Sequence, residues 1–210
     1  MTTRIRFAAA AFAAITAGCS QLGQTPTQPD MISTPLFFNA AGNGGPEHHR
    51  THLSGAEEVF TPETPGAPTP ADSHAQGQAM FQVSQDGASV DYKLIASNIE
   101  NVTQAHIHCG PAGVNGPIVM WLYPSPTAVA ALPGGAGRHD GVLAEGTFVN
   151  ANVRPTVDPR CPGGVATLAD LLDRIRSGDA YVNVHTSDGV APSNQGPGDF
   201  PGGEIRGQIE

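Results

Sequence analysis

Along this chain apolar and polar residues alternate in short runs broken by glycine and proline, and a period of two marks half-buried β-strands. The runs are His52 to Phe60, Gly77 to Ser84, Ser89 to Ser97, Thr103 to Cys109, Pro117 to Tyr123, Gly141 to Val149, Ala180 to Thr186 and Gly203 to Ile209. About eight strands at this spacing predict an all-β domain, an antiparallel Greek-key-like β-sandwich or barrel, rather than a parallel α/β sheet. One segment breaks the period. Between Thr167 and Gly178 the residues Leu168, Leu171, Leu172 and Ile175 share one helical stripe, with a Thr cap at the start and Gly at the end. A short amphipathic helix packed on the sheet edge is expected there. The pattern predicts no second domain.

The same alternation decides which polar side chains meet. In His106-Ile107-His108 the first and third residues face one side of a strand, their Cβ atoms roughly 6.5 Å apart. A third histidine lies in Tyr181-Val182-Asn183-Val184-His185-Thr186, where Tyr181, Asn183 and His185 share one face and the valines take the other. In the last strand Glu204, Arg206 and Gln208 alternate with Ile205, Gly207 and Ile209. If a hairpin through residues 187–202 brings the last two strands together, Glu204 or Arg206 reaches the histidines. Neutral imidazole is a good ligand for zinc or copper, and three of them leave an open coordination position. His106, His108 and His185 are therefore the candidate metal ligands, with Asn183, Glu204 and Arg206 behind them. In the alternative, these groups form a hydrogen-bonded polar layer that fixes strand register.

Composition adds the compartment. Residues 1–18 combine a charged start, Arg4 and Arg6, with an apolar run from Phe7 to Ala17 and small residues before Cys19. That is the layout of a secretory signal peptide, too short to span a membrane as a helix. Ala17-Gly18-Cys19 resembles the bacterial lipobox, although Thr16 stands where leucine is usual; the resemblance makes Cys19 the lipid-modified residue, and Ser20 after it points toward an outer membrane. The expected location is exported and lipid-anchored, outer membrane or periplasm, with a secreted soluble form as the alternative. Residues 19–50, rich in Gln, Thr, Pro, Asn and Gly, read as a tether interrupted by Leu36-Phe37-Phe38, and residues 51–210 as the β domain. With Cys19 assigned to lipid, Cys109 and Cys161 remain as a pair, which in an exported chain reads as a disulfide. The net charge of −9 leaves no basic face for nucleic acid. Expected partners are a membrane through the anchor, a metal ion or an envelope protein.

Other motifs carry less. His48-His49-Arg50-Thr51-His52 is a second histidine cluster that reads as solvated, and Trp121 with Tyr123 reads as packing. No Gly-x-Ser-x-Gly elbow is present, and the runs Gly134-Gly135-Ala136-Gly137 and Gly110-Pro111-Ala112-Gly113 lack the Lys-Ser/Thr that a phosphate loop needs.

Six segments, in order, form a larger pattern: Leu53 to Val59, Gly77 to Phe81, Ala105 to Gly110, Asn115 to Val119, Tyr181 to Thr186 and Gly202 to Ile209. Together they resemble the CHRD domain, the module named from chordin and also found singly in bacterial exported proteins. The resemblance runs from about His52 to Ile209. It implies an extracytoplasmic, mostly β module with a binding or structural role and no established enzymatic activity. The His-x-His pair also resembles, locally, the copper-ligand strand of copper/zinc superoxide dismutases, but no loop of recurring His and Asp zinc ligands accompanies it. A metal-binding protein is thus the first alternative function and a dismutase-like metalloenzyme the second.

Overall fold

The structure is a computed structural model that describes residues 45–62 and 65–210; the signal segment, Cys19 and Leu36-Phe37-Phe38 lie outside the described residues. Eight strands form: β1 His48–Ser54, β2 Gln76–Val83, β3 Ser89–Glu100, β4 Val102–Cys109, β5 Ile118–Tyr123, β6 Arg138–Val149, β7 Ala180–Thr186 and β8 Ile205–Gln208. They make one antiparallel sheet in the order β5-β4-β7-β8-β1-β2-β3-β6. Its outer strands, β5 and β6, approach each other, so the sheet curls into a nearly closed barrel. The connectivity is Greek key, as expected: β4, β5 and β6 follow in sequence while β7 returns over a long connection to pair with β4.

The barrel interior is the apolar half of the alternation. β2 and β3 alternate buried with more exposed positions almost without interruption. Phe81, Val90, Leu94, Ile107, Leu122, Phe148 and Val182 fill the centre, and Phe148 packs against Phe81 and Tyr92. Tyr92 Oη donates to the Leu122 carbonyl at 2.7 Å, tying β3 to β5 inside the core. The helix, α1 Leu168–Arg176, starts where the sequence places it. Thr167 caps it with a capping box to Asp170, and Leu168, Leu171, Leu172 and Ile175 are buried. Its start is tied to the turn after the outer strand β6, Leu168 N donating to Asn150 Oδ1 at 2.8 Å, and its four-residue stripe joins the core.

The first strand also differs. It starts at His48 and ends at Ser54, where a 3₁₀ turn over Gly55–Glu57 replaces the expected run to Phe60. A Cβ on Gly55 would stand 1.8 Å from the Pro70 carbonyl oxygen, so the chain must bend there and only glycine fits. The bend carries Glu58 toward the polar side of β7, onto Asn183.

β4 and β7 do not alternate in burial. Nearly every residue of both is buried, although Gln104, His106, His108, Tyr181, Asn183 and His185 point away from the apolar core. The outward face of these strands is covered by the 110–117 loop, by residues 187–204 and by the segment after β1. Cys109 and Cys161 are joined in a disulfide at the end of β4, at a sequence separation of 52. Closing that loop stabilises the fold by about 4 kcal/mol in the chain-entropy model. Peptide mapping after alkylation without reductant should recover Cys109 and Cys161 as a linked pair, and reduction should lower the unfolding free energy by about 4 kcal/mol. Two alkylated thiols in the unreduced protein would contradict the bridge.

Candidate metal centre

β4 and β7 pair so that His106 lies opposite Asn183, His108 opposite Tyr181 and Gln104 opposite His185. His185 is therefore the diagonal neighbour of His106, and all three rings sit on one face. Their exposures are 0% for His106, 8% for His108 and 6% for His185. One potential ligand atom from each lies within 4.8 Å of those of the other two. Among the described residues this is the one group of three or more metal-ligating side chains that converges.

Hydrogen bonding fixes the proton on each ring. His108 Nδ1 is 3.0 Å from the Gly116 carbonyl and His185 Nδ1 is 2.9 Å from the Pro201 carbonyl. A carbonyl only accepts, so both Nδ1 atoms carry hydrogen and both Nε2 atoms are lone pairs. His106 Nδ1 lies 3.2 Å from His185 Nε2 and must donate to it. His106 Nε2 is then a lone pair as well. Among the described residues neither His106 Nε2 nor His108 Nε2 has a hydrogen-bond partner, although both are buried. Two buried, uncommitted acceptor nitrogens beside a third imidazole suit a cation.

The rings are neutral. Burial pushes His106 down to about 2, His108 to about 3 and His185 to about 4, and for the first two the neighbouring imidazoles lower them further. Trp121 walls the site, its ring meeting His106 edge to face at 4.2 Å. Tyr181 stacks on His108 at 4.9 Å, and the Arg206 guanidinium stacks on Tyr181 at 3.4 Å.

The residues expected behind the histidines act through the covering loops. Arg206 is 2% exposed and donates to Asn115 Oδ1 and to the Val114 and Pro111 carbonyls, holding the loop whose Gly116 carbonyl pins His108. Glu204, expected beside a ring, touches none. Its carboxylate accepts from Ser73 Oγ, Thr186 Oγ1 and Gly198 N at 2.5, 2.6 and 2.8 Å. Three donors on that side outbid a neutral imidazole, and they fasten the loop whose Pro201 carbonyl pins His185. Asn183 donates to Glu58 at 3.2 Å, and burial pushes the Glu58 carboxyl up to about 8. The upstream histidines do not join this group: His49 contacts Glu47 at 2.7 Å on β1.

Glu58, Trp121 and the two pinning carbonyls were not foreseen from sequence as parts of this layer. Gly116 had a usable signal, because Asn115-Gly116-Pro117 marks a tight turn directly after the His-x-His strand. A Cβ there would stand 1.7 Å from the Cys109 carbonyl oxygen, so the turn folds back onto β4 only as glycine.

Comparison with known families places the chain. The CHRD domain family model matches residues 50–209, while no curated protein and no solved structure matches.

The buried ionisable groups predict a stability optimum. The three histidines, lowered in the fold, contribute stability that is complete above pH 6.5 and lost as pH falls toward their folded values. Together they give about 4 kcal/mol per pH unit. Glu58, raised in the fold from 4.5 to about 8, contributes stability that is lost as pH rises through 8. Its slope is opposite and about 1.4 kcal/mol per unit. Denaturant unfolding in a chelating buffer should therefore peak near pH 6.5, falling about twice as steeply toward pH 5 as toward pH 8. A flat profile over that range would mean that the rings are solvated.

Proposed function

The chain belongs to the CHRD domain family, and we propose that its domain is a metal-binding module that holds one zinc or copper ion between His106, His108 and His185. One observation carries this reading: three buried neutral imidazoles converge within 4.8 Å, two of them turned lone pair inward by backbone carbonyls on their far nitrogens. Outer partners of that kind orient imidazole ligands in metal sites. An ion bound at 2.0 to 2.1 Å in a plane of three nitrogens needs them about 3.5 Å apart. His106 Nδ1 and His185 Nε2, at 3.2 Å, are already near that spacing, the His106 proton moving to its Nε2 when the ion takes its place, and His108 has to close by about 1.3 Å at most.

A second reading has its own support. The His106 to His185 hydrogen bond at 3.2 Å is a favourable arrangement without an ion, so the layer would then only fix strand register. Burial of all three rings favours holding an ion over turnover, because a metalloenzyme needs an open position and a path to it.

We also infer that the protein is exported and anchored by lipid at Cys19, as a binding module of the cell envelope. The charged start, the apolar run Phe7 to Ala17 and the Ala-Gly-Cys sequence support this, and so does a disulfide, which persists in oxidising compartments.

Elemental analysis of the purified chain should find one equivalent of zinc or copper, absent from His106→Ala and His185→Ala. At a hundredfold excess over Kd the ion should raise the unfolding free energy by about 2.7 kcal/mol. Metal content unchanged in both variants would leave the register-fixing layer as the function. For the anchor, the wild-type chain should partition into detergent and Cys19→Ala should stay in the aqueous phase; equal partitioning would refute lipidation.

A further inference from the structure

We propose that the ion this layer is built to hold is monovalent copper, in preference to zinc or divalent copper. The inference rests on the three-histidine reading and names its cargo. Two independent features of the site lead to it: the number of ligands it can offer and the charge it can tolerate.

Zinc is almost always four-coordinate, and where a protein supplies three ligands water takes the fourth position. Divalent copper prefers four or more nitrogen and oxygen ligands in a tetragonal arrangement. Here the three rings are at most 8% exposed and lie beneath Trp121, Tyr181 and the loops carrying Gly116 and Pro201. Of the other side chains of the face, Tyr181 Oη accepts from Gly116 N at 3.0 Å and the Glu204 carboxylate already holds three donors, which leaves Asn183 Oδ1 and Glu58 Oε1 as the unpaired oxygens of the layer, neither of them bonded to a ring. Monovalent copper, with a filled d shell, is satisfied by three imidazoles in a plane.

Charge points the same way. The cost of burying an ion scales with the square of its charge, so a dication costs about four times what a monocation does. Zinc sites usually offset that cost with thiolate or carboxylate ligands. This layer offers three neutral imidazoles, with the Arg206 guanidinium stacked behind Tyr181 and Tyr181 behind His108. The disulfide removes Cys109 and Cys161 as thiolate ligands, although Cys109 directly follows His108. Among the described residues no carboxylate is hydrogen-bonded to a ring of the triad.

The full-length chain is titrated anaerobically with monovalent copper against bicinchoninate and, separately, with zinc against a chromogenic zinc chelator. Copper(I) should bind one equivalent at least about a hundredfold more tightly than zinc. Zinc binding as tightly or more tightly overturns the cuprous assignment and leaves the three-histidine site standing. Failure of both ions to bind at one equivalent overturns the site and the assignment together. Asn183→Asp tests the charge argument without a change of shape, since Asn183 lies opposite His106 on β7. The added negative charge should raise zinc affinity by about the square of the factor by which it raises copper(I) affinity, because the Coulomb energy scales with ionic charge. Equal factors for the two ions would overturn that argument.

Discussion

A neutral imidazole taken out of water keeps one donor and one acceptor, and both must be dealt with. This domain buries three such rings side by side, and much of its outer architecture follows from their donors. His108 and His185 hand their Nδ1 protons to the carbonyls of Gly116 and Pro201, which no strand could supply at those positions. Loops have to be brought over the sheet and held there. The anchors are the two buried charges flanking Ile205: Arg206 grips the 110–117 loop by its carbonyls, and Glu204 grips residues 198–204 through Gly198 and Thr186. The disulfide fixes the end of β4 where the first of these loops begins. Each charge is bonded several times over, the condition under which burying it can be sustained.

The barrel was legible because its signal is local. A period of two, broken by Gly and Pro, marks every strand, and the cap, stripe and terminal glycine mark the helix. Even the convergence of His106, His108 and His185 follows from parity once β4 and β7 are neighbours. What parity does not reveal is whether a polar face is wet. On β4 and β7 it is dry, so Glu204 and Arg206, expected behind the histidines, are instead buried anchors of the covering loops. Coverage depends on irregular loops, which carry no period. Glu58 was hidden for the same reason, since it follows a bend forced by the approach of Pro70. Trp121 was hidden by a break in pairing: β5 shifts register against β4 on both sides of His106 and Ile107, which blurs any assignment of faces.

The polar layer and the core also divide the electrostatics. The core contributes burial of apolar surface and one satisfied hydroxyl, at Tyr92. The layer holds several uncompensated groups: two imidazole lone pairs, the Trp121 Nε1 proton, Asn183 Oδ1 and a Glu58 carboxyl oxygen. Such atoms cost stability when left without partners. Arg174 Nε, Asn194 Oδ1 and Asp199 Oδ1 are unpaired elsewhere, but only in this layer do such atoms accompany three converging imidazoles among the described residues, and that is what turns a register-fixing layer into a candidate for ligand binding.

The segments by which the chain resembles its family bear on the same choice. A pattern that marked only a barrel would draw on inward-facing apolar residues, as Gly77 to Phe81 does, with Ala79 and Phe81 in the core. The other five segments each deliver a polar group or a backbone carbonyl to the layer: Glu58; His106 and His108; Asn115 and Gly116; Tyr181, Asn183 and His185; Glu204 and Arg206. They lie on different strands and loops, far apart in sequence, and the fold brings them to one side of β4, β7 and β8. A Greek-key barrel can be built from many apolar sequences. This outer layer needs particular side chains at particular registers, so in this chain the residues that identify the domain are largely those that build the histidine site.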